Sequence, residues 1–392
     1  MNRNEAVKLA QQAIKANNKR LIDAVLAIKP QREAEWQHRT LDQLPLIAVT
    51  CSTGYECYAV VEELVATGKF RVRALFRTPG THAAKRLERL LAKTEEKTPG
   101  LMTLHPGTDM NSAEILKKAF ADCDGVVLYY TANTSKAGKV TNHGDDPAGG
   151  RNAVMRQVMA SVEAIKATPS IKHAVTLIFP SDKVTHIVDD APPCPWWIAQ
   201  KLRLSDFLRE QGINTTCIYR PAYYYAMHRV EHTQIEAHIR GETQMSRTMI
   251  SENNLSGINE PDYMVNWVDV RDVGKWVGTC FEYPDVFSNE DLSIASSAHT
   301  GHELVEIAIR NNRHGTQFKY KQFPQFVMKM IALFNNEVIY PLRYAQWYND
   351  NGNGYDFASN EDLADLDRIH PRWTFEKELE MWGINDIKPA KG

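Results

Sequence analysis

One short segment combines the residue types and spacing that bind phosphate. An apolar run, Leu46–Val49, leads directly into Thr50-Cys51-Ser52-Thr53-Gly54-Tyr55-Glu56-Cys57, and a helical pattern follows. A strand, a tight loop and a helix N-terminus place backbone amides and the positive end of a helix dipole around an anion. Gly54 holds the middle of the three places where such loops carry glycine, while Cys51 and Cys57 hold the first and last. The segment predicts a pyrophosphate-binding loop, weakened if Cys51 needs a positive φ angle.

A basic residue stands where the second predicted strand ends. Arg77 follows this strand, and Lys85 and Arg86 lie on the next predicted helix. In dinucleotide-binding domains an acidic residue at this place hydrogen-bonds the ribose of NAD, whereas a basic one accommodates the 2′-phosphate of NADP. A planar guanidinium suits bidentate phosphate binding. We therefore expect NADP(H) to be preferred over NAD(H), with Arg77 and either Lys85 or Arg86 as contacts.

Short apolar runs alternate with helical segments along most of the chain. The predicted strands are 46–49, 72–76, 102–104, 125–130, 174–179, 215–219, 266–270 and 292–295. The predicted helices are 58–67, 82–94, 112–121, 151–167, 196–211, 324–335, 338–349 and 374–382, and Thr300-Gly301-His302-Glu303 opens another with a capping-box pattern. Such alternation requires crossover connections. The predicted fold class is α/β, a doubly wound parallel sheet (Rossmann) with a smaller, mostly helical C-terminal substrate region.

The same pattern suggests three parts. Residues 1–44 form an N-terminal helical extension, 45–225 an NADP-binding Rossmann domain, and 226–392 a substrate-binding C-terminal region in which 260–295 returns strands to the main domain. Residues 4–29 carry apolar side chains at helical spacing, and we expect this helix to end near Pro30. It could be a docking or dimerisation arm, but most stripes of this kind face the core of their own domain.

Composition excludes several classes of partner and site. The 46 basic and 48 acidic residues give a net charge of −2, which argues against nucleic acid and anionic membranes as partners. The six cysteines form no CxxC pair, so we expect reduced thiols instead of a disulfide or zinc framework. No signal peptide and no run of ~20 apolar residues is evident. We expect a cytoplasmic protein that binds a small-molecule substrate, and the sequence leaves a homodimer open.

Together these segments resemble the NmrA-like branch of the short-chain dehydrogenase/reductases. The loop is similar to the family's T-G-A-T-G-x-x-G, and residues 71–79 are similar to its V-R-A-L-x-R-x-P. Further similar runs are Gly107-Thr108-Asp109, Cys123-Asp124-Gly125-Val126-Val127, Tyr219-Arg220-Pro221 and Val268-Asp269-Val270-Arg271-Asp272-Val273. The resemblance spans roughly residues 45–310 and implies a dinucleotide-binding Rossmann fold.

The resemblance also implies a set of site residues. Those expected to bind the cofactor are Thr50, Ser52, Thr53, Gly54, Tyr55, Glu56, Arg77, Lys85, Asp109, Thr131, Ala132, Lys201 and Tyr223. Those expected to bind the substrate are Trp197, Tyr224 and Tyr225. No metal is expected. The run His228-Arg229-Val230-Glu231-His232 matches an inverted zinc-protease motif, but it lacks an evident third ligand and the structural context which that motif requires.

The catalytic position departs from the usual pattern of short-chain dehydrogenases. These enzymes use Tyr-x-x-x-Lys, in which the lysine holds the nicotinamide ribose and the tyrosine acts as general acid. Here the segment is Trp197-Ile198-Ala199-Gln200-Lys201. An indole donates a hydrogen bond but does not release its proton, so the usual acid is absent. NmrA-like relatives commonly lack that tyrosine, and the resemblance implies Lys201 as the catalytic residue, orienting the cofactor.

Functions from different classes stay open. One is an NADPH-dependent reductase that transfers a hydride to a small organic substrate. Another is a non-enzymatic sensor or regulatory protein that binds NADP(H), which the substitutions Cys51, Cys57 and Trp197 favour. A fold repurposed for a non-redox step is a third. The order of the loop, Arg77 and Lys201 favours the reductase.

Overall fold

The computed structural model describes residues 3–130, 149–178, 205–223, 254–257, 260–322, 359–381 and 384–386, with residues 324, 326 and 330. The first elements are α1 (Arg3–Gln37), β1 (Leu46–Val49), α2 (Tyr55–Thr67), β2 (Arg71–Phe76), α3 (His82–Lys97), β3 (Met102–Pro106), α4 (Ala113–Phe120), β4 (Gly125–Leu128), α5 (Gly149–Lys166) and β5 (His173–Ile178). The later ones are β6 (Thr215–Tyr219), β7 (Ala222–Tyr223), β8 (Asn254–Gly257), β9 (Val265–Val268), α6 (Val270–Glu282), α7 (Pro284–Phe287), β10 (Asp291–Ser293), β11 (Ser297–His299), α8 (Gly301–Asn311), β12 (Lys319–Gln322), α9 (Asn360–Asp367) and α10 (Phe375–Met381).

The main sheet has seven strands in the order β10-β6-β5-β4-β1-β2-β3. Its pairings are parallel throughout, with Ile47 opposite Val72 on one side and opposite Gly125 on the other. The strand order therefore reverses at β1, whose neighbours are β2 and β4. Ligands of open α/β sheets bind at the carboxyl ends of the strands beside such a switch point. The doubly wound α/β prediction is confirmed.

Both faces of the sheet are covered, as continuous apolar strands predict. Successive side chains of β1 point to opposite faces, so Ile47 and Val49 join a cluster with helices α1, α2 and α6. Leu46 and Ala48 join a second cluster with α4 and α5. The strand that carries the loop is thus fixed from both sides.

The first helix does not end near Pro30, and that prediction is wrong. Helix α1 runs from Arg3 to Gln37 with Pro30 inside it. A proline within a helix costs about 3 kcal/mol through the lost hydrogen bond and a clash with the preceding turn. Packing beyond the proline offsets this, because the Trp36 ring lies 5.3 Å from the Phe70 ring and Arg32 bonds Asp285 over 2.7 Å.

Helix α1 packs on its own domain. Leu21 and Ile22 are fully buried in the cluster that includes α2 and α6. The side-chain amides of Asn17 and Asn18 donate to the carbonyls of Asp291 and Ser293 over 2.6 Å each. These bonds cover the edge strand β10. Along the part of the chain that the structure describes, no helix is both long and apolar enough to cross a membrane.

Several predicted boundaries are shifted. The strand expected at 266–270 ends at Val268, because Asp269 caps helix α6 by accepting a 2.8 Å hydrogen bond from the Arg271 amide. The capping box at Thr300 and Glu303 is confirmed at the start of α8. Helix 374–382 is confirmed as α10, whereas 196–204 and most of 324–349 lie outside the described residues.

Candidate functional site

The predicted phosphate loop leaves the carboxyl end of β1 in a tight turn. The amide of Gly54 donates to the carbonyl of Cys51 over 2.8 Å, and the Ser52 amide donates to the Leu75 carbonyl of β2 over 2.9 Å. Cys51 adopts a φ of 53°, in the left-handed region. Glycine enters that region freely and other residues do so at a cost of about 1–2 kcal/mol. The loop keeps a glycine-type conformation although the first glycine place holds a cysteine.

Thr50 joins the ends of β1 and β4 at the switch point. Its amide and hydroxyl both lie within hydrogen-bond distance of the Val127 carbonyl, at 3.1 and 2.9 Å. The hydroxyl also accepts from the Tyr129 amide over 2.8 Å. The Ser52 hydroxyl similarly donates to the Val49 carbonyl over 2.7 Å. Both predicted site residues are buried, and their hydroxyls fix the loop from within.

The loop ends at the N-terminus of α2. Gly54 is the N-cap and provides no side chain to bond the first-turn amides, so the helix end presents backbone donors to an anion. A Cβ at Gly54 would lie 3.2 Å from the Cys51 carbonyl, tighter than ordinary contact. Gly54 is exposed, with Thr53 and Tyr55 half-buried beside it. The geometry of a phosphate-binding loop is therefore present.

Cys57 occupies the third glycine place without disturbing the packing. It is 1% exposed and belongs to the cluster that α2 shares with α6. The close approach of α2 to α6 depends instead on Gly274 of α6. A Cβ there would lie 2.9 Å from the Ala59 carbonyl. A glycine outside the loop thus permits the tight packing of α2 against α6.

The basic residues after β2 differ in their surroundings. Arg77 is exposed at the end of the strand, where its carbonyl accepts from the Gly107 amide over 3.2 Å. Lys85 is exposed on α3. Arg86 is only 4% exposed, and its guanidinium carbon lies 3.8 Å from the centre of the Tyr58 ring. Arg86 is therefore buried beside the loop, whereas Arg77 and Lys85 are exposed.

Three observations define the electrostatics around Arg86. The Arg86 Nη2 donates to the Thr53 carbonyl over 3.5 Å. Burial lowers the pKa of Arg86, but a guanidinium titrates so high that it stays charged. Burial also raises the pKa of the Tyr58 hydroxyl to about 12, so this ring stays neutral against the cation. A permanent positive charge lies beside the loop.

Asp109 follows β3 on the same edge. Its Oδ1 accepts from the Asn111 amide over 2.9 Å and from the Asn111 side chain over 3.0 Å, and its carbonyl accepts from Ser112, the cap of α4. The residue is half-buried. Its carboxylate shapes the turn into α4, at a position that the resemblance assigns to cofactor binding.

The side chain of Glu56 is bonded to an arginine from the other side of the sheet. Both of its carboxylate oxygens accept from Arg220, from Nε and Nη2 over 2.7 Å each. The two side chains are 6% and 7% exposed. Arg220 follows β6, so this ion pair joins the start of α2 to the other half of the sheet.

The remaining predicted residues fall largely outside the described part of the chain. These are Thr131, Ala132, Trp197, Lys201, Tyr224 and Tyr225, as well as the run 228–232. The backbone of Tyr223 lies in β7, next to β9. Of the residues predicted to bind the cofactor, the structure thus describes those of the loop, Arg77, Lys85 and Asp109, and it places Arg86 beside Thr53 of the loop.

Two charged residues near the loop, Arg86 and Arg220, are missing from the set that the resemblance implies. From the sequence, Arg86 is only an alternative to Lys85 as a contact of the 2′-phosphate. Helical phase does not distinguish the two, because Arg86 and Lys85 lie at similar angles on either side of the apolar positions Ala84, Leu87 and Leu91. Arg86 is buried because it packs against Tyr58. Arg220 belongs to the run Tyr219-Arg220-Pro221, which resembles the family but carries no predicted role. No spacing in the sequence indicates that it pairs with Glu56.

The fold and the loop define a doubly wound α/β protein with the geometry of a phosphate-binding Rossmann site. The model of the NmrA-like family matches residues 44–378, and the chain belongs to that family. No curated protein matches the chain at a significant level.

Solved structures share the fold at low sequence identity. The triphenylmethane reductase of Citrobacter sp., complexed with NADP(H), is 15% identical with a TM-score of 0.56, and the match covers 86% of this chain and 99% of that one. The negative transcriptional regulator NmrA, in complex with NAD, is 15% identical with a TM-score of 0.58, covering 86% and 95%. An NADPH-dependent quinone oxidoreductase of Escherichia coli is 16% identical with a TM-score of 0.55, covering 85% and 98%. At these identities the likeness shows the fold.

Proposed function

We propose that this protein binds a nicotinamide dinucleotide at the loop 50–57. The observation that carries the proposal is the turn in which Cys51 holds a φ of 53° and bonds the Gly54 amide. A residue held in this region against its own preference indicates that the surrounding structure requires the loop geometry. Family membership and the dinucleotides bound to the three structures of the same fold support the proposal.

NADP(H) is the preferred form. The residue at the end of β2 is Arg77, so the acidic group that would bond the ribose of NAD is not at this place. Arg77 is exposed, and Arg86 holds a buried charge beside Thr53. Two guanidinium groups near the loop suit a phosphate monoester better than a ribose hydroxyl.

The activity we infer is NADPH-dependent reduction of a small organic substrate. Bound NADPH supplies a hydride. In the sequence-based assignment Lys201 bonds the nicotinamide ribose and orients it, while Trp197 shapes the pocket without donating a proton. Tyr223, Tyr224 and Tyr225 follow β6 in the sequence and are the candidates for a substitute acid or for the pocket wall.

A sensor that binds NADP(H) without catalysis is the second candidate. The strain at Cys51 and the loss of the tyrosine at position 197 favour it, since both affect groups on which turnover depends. NmrA, a negative transcriptional regulator of the same fold, shows that this fold is not restricted to enzymes.

One pair of measurements separates the candidates. Titration of purified protein into NADPH should shift or quench the cofactor fluorescence, and absence of any change would overturn the binding proposal. NADPH oxidation is then followed with a quinone or a triphenylmethane dye, the substrate classes of the two reductases that share the fold. Consumption supports the reductase. Binding without consumption across electrophiles of these kinds favours the sensor.

A further inference from the structure

A buried ion pair lies directly behind the phosphate loop. The guanidinium of Arg220 donates two parallel hydrogen bonds of 2.7 Å to the two oxygens of Glu56. Each side chain is about nine-tenths buried or more, at 7% and 6% exposed. Bidentate pairs of this kind fix both position and orientation. Removing one partner would leave a buried, uncompensated charge.

The two partners come from opposite sides of the switch point. Glu56 lies in the first turn of α2, two residues after the N-cap Gly54. Arg220 follows β6, where its amide donates to the Ile178 carbonyl of β5 over 3.0 Å. In the sheet, β4 and β5 separate β1 from β6. The pair therefore spans the carboxyl edge, from the phosphate loop to the segment that continues into β7.

The charge of Glu56 is the wrong sign for an anion-binding site. A carboxylate in the first turn interacts favourably with the helix dipole, but it also repels another anion at the same helix end. A pyrophosphate held by the loop would meet this repulsion unless a cation cancels it. Arg220 provides that cation, because both carboxylate oxygens are bonded to its guanidinium.

Among the described residues, Arg271, Lys275 and Arg86 near α2 have other neighbours. Arg271 bonds Asp269 through its Nε over 2.5 Å and Glu378 over 3.2 Å. Lys275 bonds Asp272 over 3.0 Å. Arg86 lies against Tyr58 on the α3 side. The structure therefore assigns Arg220 to Glu56.

We propose that Arg220 is a positioning residue for the dinucleotide, acting through Glu56. It cancels the carboxylate charge at the start of α2, so that the helix end stays attractive to the pyrophosphate. This inference rests on the proposed binding of NADP(H), and it extends the site across the sheet to β6.

The test compares NADPH affinity with thermal stability in four variants. Arg220→Met uncovers the carboxylate and should weaken NADPH binding about tenfold or more. Glu56→Gln, added to Arg220→Met, removes the uncovered charge and should restore the dissociation constant to within about threefold of wild type. Glu56→Gln alone leaves the Arg220 cation uncompensated, so the melting temperature should fall while NADPH binds at least as tightly as to wild type. Arg220→Lys keeps the positive charge but loses the two parallel hydrogen bonds. The melting temperature should therefore fall, while NADPH affinity stays within about threefold of wild type.

A matched pair controls for general loss of stability. Arg209 bonds Asp291 over 2.8 Å at the amino end of β6, where it also donates to the Thr215 carbonyl. Arg209→Met/Asp291→Asn should lower the melting temperature without changing NADPH affinity.

Three outcomes would overturn the inference while wild type binds NADPH. They are Arg220→Met at wild-type affinity, the double variant Glu56→Gln/Arg220→Met about tenfold weaker than wild type, and Arg220→Lys about tenfold weaker than wild type. The last two decide the question even if Arg220→Met does not fold. Failure of the wild-type protein to bind NADPH would instead refute the proposed function itself.

Discussion

The amide of Gly54 donates to the carbonyl of Cys51 over 2.8 Å, closing a turn in which Cys51 has a φ of 53°. The turn lies between β1 and α2, and the Cys51 Sγ lies 3.3 Å from the carbonyl of Tyr129, the residue that follows β4. The chain has replaced a glycine while keeping the conformation that favours glycine. Strain in this loop is thus opposed by the sheet and helix on either side.

Cys51→Gly should relieve this strain. We expect the free energy of unfolding to rise by up to about 1 kcal/mol, because the relieved backbone strain exceeds the added flexibility of the unfolded chain. NADPH affinity should hold or improve. Urea unfolding with and without NADPH measures both. The control is Cys57→Gly, which empties a buried helical position and should lower stability by about 1 kcal/mol or more. Equal effects of the two substitutions would contradict the assignment of strain to Cys51.

Arg86, more than Lys85, should select NADPH over NADH. Arg86→Met removes the buried charge beside Thr53, and Arg77→Ala removes the exposed one after β2. Each should weaken NADPH binding by about 1.5–3 kcal/mol, the size of a charge-assisted contact, and leave NADH nearly unchanged. Lys85→Met is the matched control on the exposed side of α3 and should alter neither. Titration of both cofactors decides, and an unchanged NADPH to NADH ratio in Arg86→Met and Arg77→Ala would refute the NADP assignment.

Lys201 carries the reductase proposal. Lys201→Met keeps much of the side-chain bulk and removes charge and donors, so turnover should fall at least ~100-fold, the usual scale for a positioned proton-handling group. Trp197→Phe should change substrate affinity more than rate, because an indole is not the acid. Steady-state kinetics with any accepted quinone measures both. Undiminished turnover in Lys201→Met would shift the role to Tyr223, Tyr224 or Tyr225.

His173 should make the fold sensitive to acid. Burial lowers the pKa of this imidazole to about 4. Its Nε2 lies 2.7 Å from the Thr216 hydroxyl, which itself donates to the Phe287 carbonyl, so Nε2 carries the proton and donates. Protonation would then place a second N–H at Nδ1, which has no hydrogen-bond partner among the described residues.

The direction of this effect follows from linkage. The unfolded chain binds a proton at His173 near pH 6.5, whereas the folded chain binds it only near pH 4, so stability falls as pH drops through that window. The loss should total roughly 3 kcal/mol at this residue. His173→Gln should flatten the dependence of unfolding free energy on pH between 6.5 and 4. His370, whose pKa burial also lowers to about 4, offers a second site at which His370→Gln should act additively. An unchanged slope in both variants would show that these rings do not titrate with folding.

Local patterns in the sequence determined the fold class and the position of the loop. The strands 46–49 and 215–219 coincide with β1 and β6, because buried parallel strands are continuous apolar runs with polar residues at their ends. The phosphate loop followed from the same reasoning, since its strand, turn and helix are adjacent in the chain. Interactions between neighbours along the chain leave a signal that period and composition reveal.

Only the tertiary structure decided which side chains from distant parts of the chain are in contact. Helix α1 continues past Pro30 because Trp36 packs on Phe70, a partner that helical propensity does not include. Arg86 lies buried at the loop and Lys85 outside it because α3 turns one flank toward Tyr58. Glu56 meets Arg220 across β4 and β5, 164 residues away in sequence. Burial and distant charge depend on how elements pack, and packing joins residues that no local spacing relates.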